Sequence, residues 1–529
     1  MQIGIDIGGT NTDAVLMADG KVLATYKSPT TASVGEGVHK AISQVLASAG
    51  VSTEVVTRVV LGTTHFTNAV VQRQGLDQVC AIRLGAPASR AFPPFSVWPD
   101  DLAAAAHGSS AILKGGVNFD GSPITALDDT ELRTAADRAV DAGFTSVALT
   151  SIFAPLSRDN EQTARDIMAA QQSSLTFTLS SDIGNLGVLE RENATILNAC
   201  LTRMAVDVVA SIEAALASLG IACPFFFSQN DGTLMSAEFA ARFPVRTFAS
   251  GPTNSIRGAG FLAGVQDALV VDIGGTTTDV GALRRGYPRE SANTTELAGL
   301  RTNFRMPDLV SIGIGGGSLV AEIGGGAANS NAAATSNAGI HVTVGPRSVG
   351  RLLTEQALVF GGATLTATDI AVAAGLLDAG NPNAVAHLPR ILIEQALAVI
   401  KRDVERAVDA MRVSSDDLPV ILVGGGAPLV GLDAFHGQPV IRPDHGHVAN
   451  AVGSAVAHAG GESDRIYNLD KMSREEAVSL AEAEAREQCV RAGGEPGQVE
   501  IVELDALPLT YLPGQSVRIR VKAAGPPAA

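Results

Sequence analysis

Aromatic residues and cysteines are scarce in this chain of 529 residues. Phe, Trp and Tyr together make up 4% of it, so the core must be built from Ala, Val, Leu and Ile. The four cysteines, Cys80, Cys200, Cys223 and Cys489, are far apart and form no CxxC pair. Their spacing argues against a disulfide framework and an iron–sulfur site, and it fits a reducing cytoplasm.

The chain also lacks an excess of basic residues. It has 38 Lys and Arg against 54 Asp and Glu, a net charge of −16, whereas nucleic-acid binding requires clustered basic side chains. No apolar run reaches the roughly 18 residues that span a bilayer. The N-terminal MQIGIDIGG predicts a strand and not a signal peptide. We therefore expect a cytoplasmic protein that binds neither nucleic acid nor a membrane.

One acidic, glycine-rich octapeptide occurs twice. Asp6–Asp13 (DIGGTNTD) matches Asp272–Asp279 (DIGGTTTD) at seven of eight positions, 266 residues further along the chain. Both copies follow an apolar run and precede another strand-like run. The repetition in one local context indicates an internal duplication.

The residue types of the repeat suit phosphate and Mg²⁺. Two glycines in a hairpin let backbone N–H groups approach phosphate oxygens, and hydroxyls add donors. Asp6 and Asp272, each at a strand end, are the predicted Mg²⁺ ligands, directly or through water. The predicted nucleotide-binding residues of the two hairpins are Gly8, Gly9, Thr10, Asn11, Thr12, Gly274, Gly275, Thr276, Thr277 and Thr278.

A third glycine turn, formed by Gly424, Gly425 and Gly426, follows the apolar run Val420–Val423. After two phosphate hairpins, a late strand–GGG–helix turn predicts the adenosine face of a nucleotide site. The chain contains no GxxxxGK[ST] motif, and neither hairpin is predicted to open a helix. The pattern therefore differs from a P-loop and from a dinucleotide fingerprint.

The order of these motifs resembles the actin, sugar kinase and Hsp70 ATPase superfamily, and within it the hydantoinase/oxoprolinase family of the A-subunit type. The resemblance runs from residue 1 to about 458. It is carried by Asp6–Asp13, Gly62–Thr64, Thr67–Ala69, Asn118–Gly121, Glu190–Asn193, Asn198–Ala199, Ser250–Pro252, Asp272–Val280, Ile312–Gly313, Gly315–Ser318, Val344–Pro346, Gly424–Gly426 and Val448–Ala451. The chain departs from the family pattern at 159–161 and 351–358.

The resemblance predicts an α/β fold with duplicated actin-like (RNase H-like) ATPase lobes around a nucleotide cleft. We expect a first lobe at 1–250, a second at 251–461 and a small C-terminal α+β extension at 462–529. The extension is expected because the composition changes after about residue 462, to a charged helical stretch and two short strand-like runs.

The resemblance also implies a function. It points to ATP- and Mg²⁺-dependent opening of a cyclic amide, such as a hydantoin or 5-oxoproline, by phosphorylation of the carbonyl oxygen, or to ketone carboxylation in another branch. A separate B-type subunit often completes the reaction. A small-molecule kinase of the same fold, and an ATPase that reactivates a partner enzyme, stay open as alternatives, as does a homo-oligomer.

Other residues are weaker candidates. His65 follows a strand end and could be a general base, and Glu190 or Glu192 could face the substrate from a helix start. Both acids could equally be there because helix N-termini favour negative charge. Asp444, His445 and His447 suggest metal ligands but lack a distant third partner. The Gly/Ala-rich segment 313–340 could cover the cleft or be a plain loop.

Overall fold

The structure is a computed structural model. It describes residues 1–9, 11–31, 33–184, 186–291, 295–323, 341–413, 417–431, 433–435, 437–510 and 515–528. The predicted phosphate donor Thr10 and most of the predicted cover, 324–340, lie outside the described residues.

The first part of the chain opens with a β-meander and continues as alternating helices and strands. Its elements are β1 (Gln2–Ile7), β2 (Asn11–Ala18), β3 (Lys21–Pro29), α1 (Val34–Ala49), β4 (Arg58–Thr63), α2 (His65–Gln72), β5 (Val79–Ala86), α3 (Asp100–Ala106), β6 (His107–Lys114), α4 (Asp129–Asp141), β7 (Ser146–Ser151), α5 (Asp159–Gln171), β8 (Thr176–Leu179), α6 (Ser180–Ile183), α7 (Val188–Ser218), β9 (Phe225–Ser228), β10 (Leu234–Ser236) and α8 (Ala237–Arg242). β5 to β8 form a separate four-stranded parallel sheet.

The remainder of the chain begins with a helix and a second meander. Its elements are α9 (Ser250–Ala263), β11 (Ala268–Ile273), β12 (Thr278–Arg284), β13 (Tyr287–Pro288), β14 (Thr295–Leu297), β15 (Leu300–Thr302), β16 (Leu309–Ile312), β17 (Ser318–Ile323), β18 (His341–Ser348), α10 (Leu353–Gln356), α11 (Ala367–Ala373), α12 (Arg390–Met411), β19 (Val420–Val423), β20 (Ala434–Phe435), β21 (Gln438–Ile441), α13 (Ala449–Ala455), β22 (Ala459–Asn468), α14 (Arg474–Arg491), β23 (Glu500–Pro508) and β24 (Ser516–Gly525).

The two meanders have the same strand pairing. β1 runs antiparallel to β2 and parallel to β4, and β11 runs antiparallel to β12 and parallel to β19. In each hairpin the two aspartates of the octapeptide are cross-strand partners, Asp6 with Asp13 and Asp272 with Asp279. Apolar side chains of each sheet are buried against helices, which forms two cores. The predicted duplicated α/β fold is confirmed.

The C-terminal segment extends the sheet of the first lobe. That sheet has nine strands in the order β23-β24-β22-β10-β9-β4-β1-β2-β3. β22 joins it by pairing Ala459 in parallel with Leu234 of β10, and α14 packs over β22 and β24 through buried alanines. The predicted third segment is therefore continuous with the first lobe, while the boundaries at residues 250 and 461 stay predictions.

Helix α7 corrects one expectation from the sequence. By length and composition alone, Val188–Ser218 could cross a membrane, although 56% of its most apolar window is buried inside the protein. Its buried residues include Ile196, Leu201 and Ile212, which belong to the same core as α1 and β1. Burial of this kind is typical of a central helix in a globular domain.

Helices α9 and α13 cross in close contact between the two meanders. A Cβ at Gly258 of α9 would lie 1.8 Å from the carbonyl oxygen of Ala449, and one at Gly453 of α13 would lie 1.9 Å from that of Asn254. A Cβ at Gly4 of β1 would similarly lie 2.1 Å from the carbonyl oxygen of Ala451. Glycine is required at these positions because the backbones themselves are in contact.

We predict that Gly453→Ala destabilises the protein. The new methyl group has only backbone atoms to displace, and overpacking of this kind costs about 1–3 kcal/mol or more. The measurement is the thermal unfolding midpoint. Gly497→Ala is the matched control, because no described heavy atom lies within 4 Å of its Cβ position. Equal midpoints for the two variants would contradict the close crossing.

Candidate functional site

The first hairpin places a buried carboxylate at the end of β1. Asp6 is 4% exposed, and its Oδ2 accepts a hydrogen bond of 3.0 Å from the Asn450 side-chain amide at the start of α13. The same amide donates to Asp13 Oδ2 at 3.1 Å. Asn450 therefore bridges the two carboxylates of hairpin 1 from a helix that packs on β1 and β2.

Glycines clear the space around both leading aspartates. A Cβ at Gly62, the register partner of Asp6 on β4, would lie 2.3 Å from Asp6 Oδ1. In the second lobe, a Cβ at Gly424 would lie 2.3 Å from Asp272 Oδ1. The first glycine of the predicted adenosine turn is thus next to the second carboxylate.

The three glycines of the predicted adenosine turn have different surroundings. Gly424 has a φ of 86°, a conformation that favours glycine, and Gly426 N donates to the carbonyl oxygen of Ile273 at 2.8 Å. Gly425 is exposed, and no described heavy atom lies within 4 Å of a Cβ built on it. The structure therefore gives a steric reason for glycine at 424 but none at 425, where contact with adenosine stays a prediction.

The element after this glycine turn is not the helix that the sequence predicted. A 3₁₀ turn of three residues, Ala427–Leu429, follows Gly426. The turn ends at Val430, where the backbone becomes extended (φ −106°, ψ 97°). The predicted strand–GGG–helix arrangement is therefore wrong in its last element.

Helix α9 reaches both carboxylates with consecutive side chains. Asn254 is fully buried beside Asp6, and Ser255 hydrogen-bonds to Asp272. Asp6 Oδ1 nevertheless forms no hydrogen bond of good geometry with any described residue. A buried carboxylate oxygen with no partner has a strong demand for a cation or a donor.

Burial and mutual repulsion raise the pKa of both aspartates. Burial first, then the charges of Asp13 and Asp272, raise the pKa of Asp6 to about 7. Burial raises the pKa of Asp272 to about 6 against the opposing Ser255 hydrogen bond, and the charges of Asp279 and Asp13 raise it further. The carboxylates of the two hairpins are therefore close enough for their charges to interact, and a cation between them would stabilise the ionised pair.

A lysine that the sequence patterns did not single out lies in the same cleft. Lys27 of β3 is the cross-strand partner of Asp13 and forms an ion pair of 2.7 Å with it. Its charge also acts on Asp272 and on His447. At the equivalent position of the second hairpin, Ser311 donates to Asp279 instead. A half-exposed ammonium between the hairpins suits phosphate oxygens.

Both hairpins are closed by the same backbone hydrogen bond. Gly8 N donates to the carbonyl oxygen of Asn11 at 2.9 Å, and Gly274 N donates to that of Thr277 at 2.9 Å. The second glycines, Gly9 and Gly275, lie at the tips, and no described heavy atom lies within 4 Å of a Cβ built on Gly275. The tip of the second hairpin therefore leaves room for a phosphate group at Gly275.

Two of the predicted phosphate donors point away from the cleft. Thr12 and Thr278 are fully buried, and Thr278 Oγ1 donates to the carbonyl oxygen of Ile314 at 2.6 Å. This placement does not fit the role of phosphate donor for these two hydroxyls, because strand alternation turns them toward the core. Thr276 and Thr277, by contrast, are exposed at the tip of the second hairpin.

The glycines after β16 pack directly against the second hairpin. Gly316 N and Gly317 N donate to the carbonyl oxygens of Gly274 (3.0 Å) and Gly275 (2.7 Å). A Cβ at Gly315 would lie 2.6 Å from the backbone nitrogen of Thr276. The described start of the predicted cover therefore supports the second hairpin.

His65 and the two glutamates have different surroundings. His65 begins α2 beside hairpin 1, where Thr64 N donates to the carbonyl oxygen of Ile7 at 3.1 Å. Burial lowers the pKa of His65, which favours the neutral imidazole.

Glu192 is 3% exposed and forms a bidentate pair with buried Arg83, so it does not face a substrate. Glu190 lies at the helix start beside Gly187.

The histidines before α13 form no metal centre with neighbouring residues. Among the described residues, no group of three or more His, Cys, Asp or Glu side chains could hold a metal ion. His447 instead lies near Lys27 and Asp13, and burial followed by the charge of Lys27 lowers its pKa. The residue of this region that contacts hairpin 1 is Asn450, through Asp6 and Asp13. The sequence singled it out only as part of a family motif.

Two meanders with facing acidic hairpins, a glycine turn and crossing helices between them define an actin-like ATPase fold. The chain belongs to the hydantoinase/oxoprolinase family. The family model for the hydantoinase/oxoprolinase N-terminal region matches residues 2–171, and the hydantoinase/oxoprolinase model matches residues 191–387.

Two curated relatives are each 24% identical to this chain. They are the acetophenone carboxylase gamma subunit of Aromatoleum aromaticum, over 405 residues, and the caprolactamase subunit alpha of Pseudomonas jessenii, over 398 residues. The matches cover 71% and 72% of this chain but only 53% and 55% of the relatives. The chain thus spans about half the length of the relatives it matches.

Two solved structures share the fold over 99% of this chain. The ATP-dependent caprolactamase from Pseudomonas jessenii has a TM-score of 0.78 at 18% identity, with 87% of that chain covered. The nucleotide-free acetone carboxylase has a TM-score of 0.68 at 19% identity, with 88% of that chain covered. At such identities these matches establish the architecture alone.

We predict that Asp6→Asn flattens the pH dependence of stability in nucleotide-free, metal-free protein. Since the folded-state pKa is raised from 3.8 to about 7, the protonated form stabilises the fold below about pH 4, and this contribution is lost as the pH rises through about 7. Between about pH 5 and pH 8, the free energy of unfolding of the wild type should fall by about 2 kcal/mol more than that of the variant.

The measurement is denaturant unfolding across that pH range. Asp207→Asn, on the exposed face of α7, should follow the wild-type curve. An Asp6→Asn curve that is parallel to the wild type would show that Asp6 is not held in a raised-pKa environment.

Proposed function

We propose that this chain transfers the γ-phosphoryl group of ATP to the carbonyl oxygen of a cyclic amide, such as a hydantoin, 5-oxoproline or a related lactam. The observation that carries the proposal is the pair of carboxylates, Asp6 and Asp272, which occupy the same position in duplicated hairpins and interact with consecutive residues of one helix, α9. Phosphoryl transfer needs positioning and charge neutralisation more than covalent chemistry from the protein. Lys27 and the hairpin backbones supply positive charge and donors there.

The two aspartates fit a hydrated Mg²⁺. Mg²⁺ is usually held by one or two carboxylates together with waters and substrate phosphates, and Asp6 Oδ1 has no hydrogen-bond partner among the described residues. When bound, the ion would neutralise charge on the phosphate oxygens. Asn450, Asn254 and Ser255 would keep the carboxylates in position.

The proposed reaction balances in three steps. The amide oxygen attacks the γ-phosphorus, the bond to the bridging oxygen breaks, and ADP leaves. A water then adds to the activated carbon and the carbon–nitrogen bond breaks, so that the ring opens to a protonated amine and an acyl phosphate. A second water attacks the acyl carbon, and phosphate departs with the original amide oxygen. Phosphorylation helps because it converts a poor leaving group into a good one. Neutral His65, beside hairpin 1, is the proposed acceptor for a proton.

The names of the relatives support an activated carbonyl as the common element. One is a subunit of a caprolactamase and the other a subunit of an acetophenone carboxylase. The names of these two relatives therefore indicate a lactam and a ketone as their substrates. Because both are subunits, we propose a B-type partner that completes hydrolysis. A small-molecule kinase, or an ATPase that reactivates a partner enzyme, would use the same cleft, and the label experiment below separates them.

We predict that Asp272→Asn lowers Mg²⁺-dependent ATP hydrolysis by about a hundredfold or more, because the amide keeps the shape and loses the charge that holds the cation. The measurement is phosphate release together with the unfolding midpoint. Asp267→Asn, at the other end of the same hairpin and half exposed, should retain wild-type turnover. Unchanged turnover in a folded Asp272→Asn variant would remove Asp272 from the mechanism.

We also predict the fate of the amide oxygen. With an ¹⁸O-labelled carbonyl in the cyclic amide, and with the B-type partner present, the label should appear in the released phosphate. The reason is that the bond between phosphorus and the amide oxygen survives ring opening. The measurement is mass spectrometry of the phosphate.

The alternatives give different products in that experiment. A kinase would leave phosphate on a stable product, and a partner-reactivating ATPase would draw the phosphate oxygen from water. Ring opening with label-free phosphate would exclude the phosphorylated amide.

A further inference from the structure

A cavity of about 410 Å³ lies away from the phosphate hairpins. Its walls come from α8, the 3₁₀ turn Pro244–Thr247, the loop after β9 and the first half of β22. None of the hairpin residues lines it. Its size is within the range of small-molecule sites, and the proposed phosphoryl transfer makes no use of it.

One side of the cavity is aromatic. Phe239, Phe243 and Phe304 line it, and the rings of Phe239 and Phe243 are 4.7 Å apart between centroids. The guanidinium carbon of Arg246 lies 5.3 Å from the centroid of each of these two rings. Such contacts hold the arginine in one orientation and leave its edge available for hydrogen bonds.

Arg246 differs from the other arginines that line the cavity. Six arginines do so, and five of them have a carboxylate within ion-pair distance. The five pairs are Arg158 with Glu484, Arg242 with Asp182, Arg305 with Glu462, Arg465 with Glu484 and Arg491 with Glu487. No ion pair joins Arg246 to any carboxylate among the described residues. Its one side-chain hydrogen bond there is from Nη2 to the carbonyl oxygen of Asp182, at 3.0 Å.

The carboxylates whose charges act on Arg246 already pair with other cations. Glu462 pairs with Arg305 at 2.8 Å, and Asp231 pairs with Lys522 at 2.8 Å. Burial lowers the pKa of Arg246 although these two carboxylates and Asp182 oppose the shift. Arg246 is only partly buried, and apart from its bond to Asp182 its guanidinium makes no hydrogen bond or ion pair with the described residues, so its other donors are available to an anion in the cavity.

We propose that this cavity is a binding site for a small organic carboxylate, with the carboxylate on Arg246 and an apolar body against Phe239, Phe243 and Phe304. A planar guanidinium fork matches the two oxygens of a carboxylate. Asp182, Asp231 and Glu462 around it disfavour a dianion, because each added negative charge is repelled at short range. The site therefore selects a monoanion with a hydrocarbon portion over inorganic phosphate.

The test uses the full chain without nucleotide and isothermal titration calorimetry. The probes are hexanoate and benzoate, their neutral amides hexanamide and benzamide, and inorganic phosphate. We expect saturable binding of one carboxylate per chain, with the amides and phosphate at least about tenfold weaker, as loss of a charge-assisted hydrogen bond implies. Equal affinity for acid and amide, tighter binding of phosphate, or no saturable binding of either acid would overturn the proposal.

Substitutions of Arg246 test whether hexanoate binds in this cavity. Arg246→Gln should weaken hexanoate binding at least about tenfold, and Arg246→Lys should weaken it less, because the charge stays while the fork is lost. Arg390→Gln is the charge-matched control, since Arg390 is exposed and pairs with Glu394 on the surface of α12. Wild-type affinity in Arg246→Gln would overturn the assignment.

If Arg246→Gln does not fold, the Arg246→Lys variant and the comparison of acid with amide on the wild type still decide the question. The assay contains neither ATP nor a cyclic amide. Its failure is therefore distinguishable from failure of the proposed phosphoryl transfer.

Discussion

The enclosed carboxylate pair is the constraint on which the rest of the structure depends. Asp6 and Asp272 both lie between the lobes, and each is close enough to other acids for its pKa to be raised. Two such carboxylates must be protonated, hydrogen-bonded or neutralised by a cation, and they need space free of other side chains. Asn450 and Ser255 provide donors, and glycines at 62 and 424 provide the space.

The same requirement explains the close helix crossing. α9 presents Asn254 to one carboxylate and Ser255 to the other, so this helix must lie between the two meanders. α13 must bring Asn450 within hydrogen-bond distance of Asp6 and Asp13. Both helices fit only because glycines let their backbones touch. A change in the angle between the lobes would alter the contacts at both aspartates together, because they share one helix.

A second charged network ties the C-terminal segment to the second lobe. Glu290, just after β13, pairs with Arg305 at 2.9 Å, with Lys522 at 3.2 Å and with Arg520 at 3.2 Å. Lys522 also pairs with Asp231 of the first lobe. Each buried charge has an opposite partner, as burial demands. The last strands therefore complete the first lobe's sheet and connect both lobes on the side away from the hairpins.

The sequence by itself determined the duplication and the chemistry of the hairpins, because the octapeptide repeats in the same strand–turn–strand context and local geometry follows from its glycines. It also led to the family through motifs that are local in the chain. The sequence did not predict the roles of Lys27, Asn254 or the partners of Arg246, because no local motif includes them. For the same reason the sequence could not show that Glu192 pairs with Arg83 or that Thr278 donates to the carbonyl oxygen of Ile314. Whether a polar side chain faces a cleft or another buried group depends on contacts between residues far apart in the chain, such as Arg83 with Glu192 across 109 positions, and only the tertiary structure decides them.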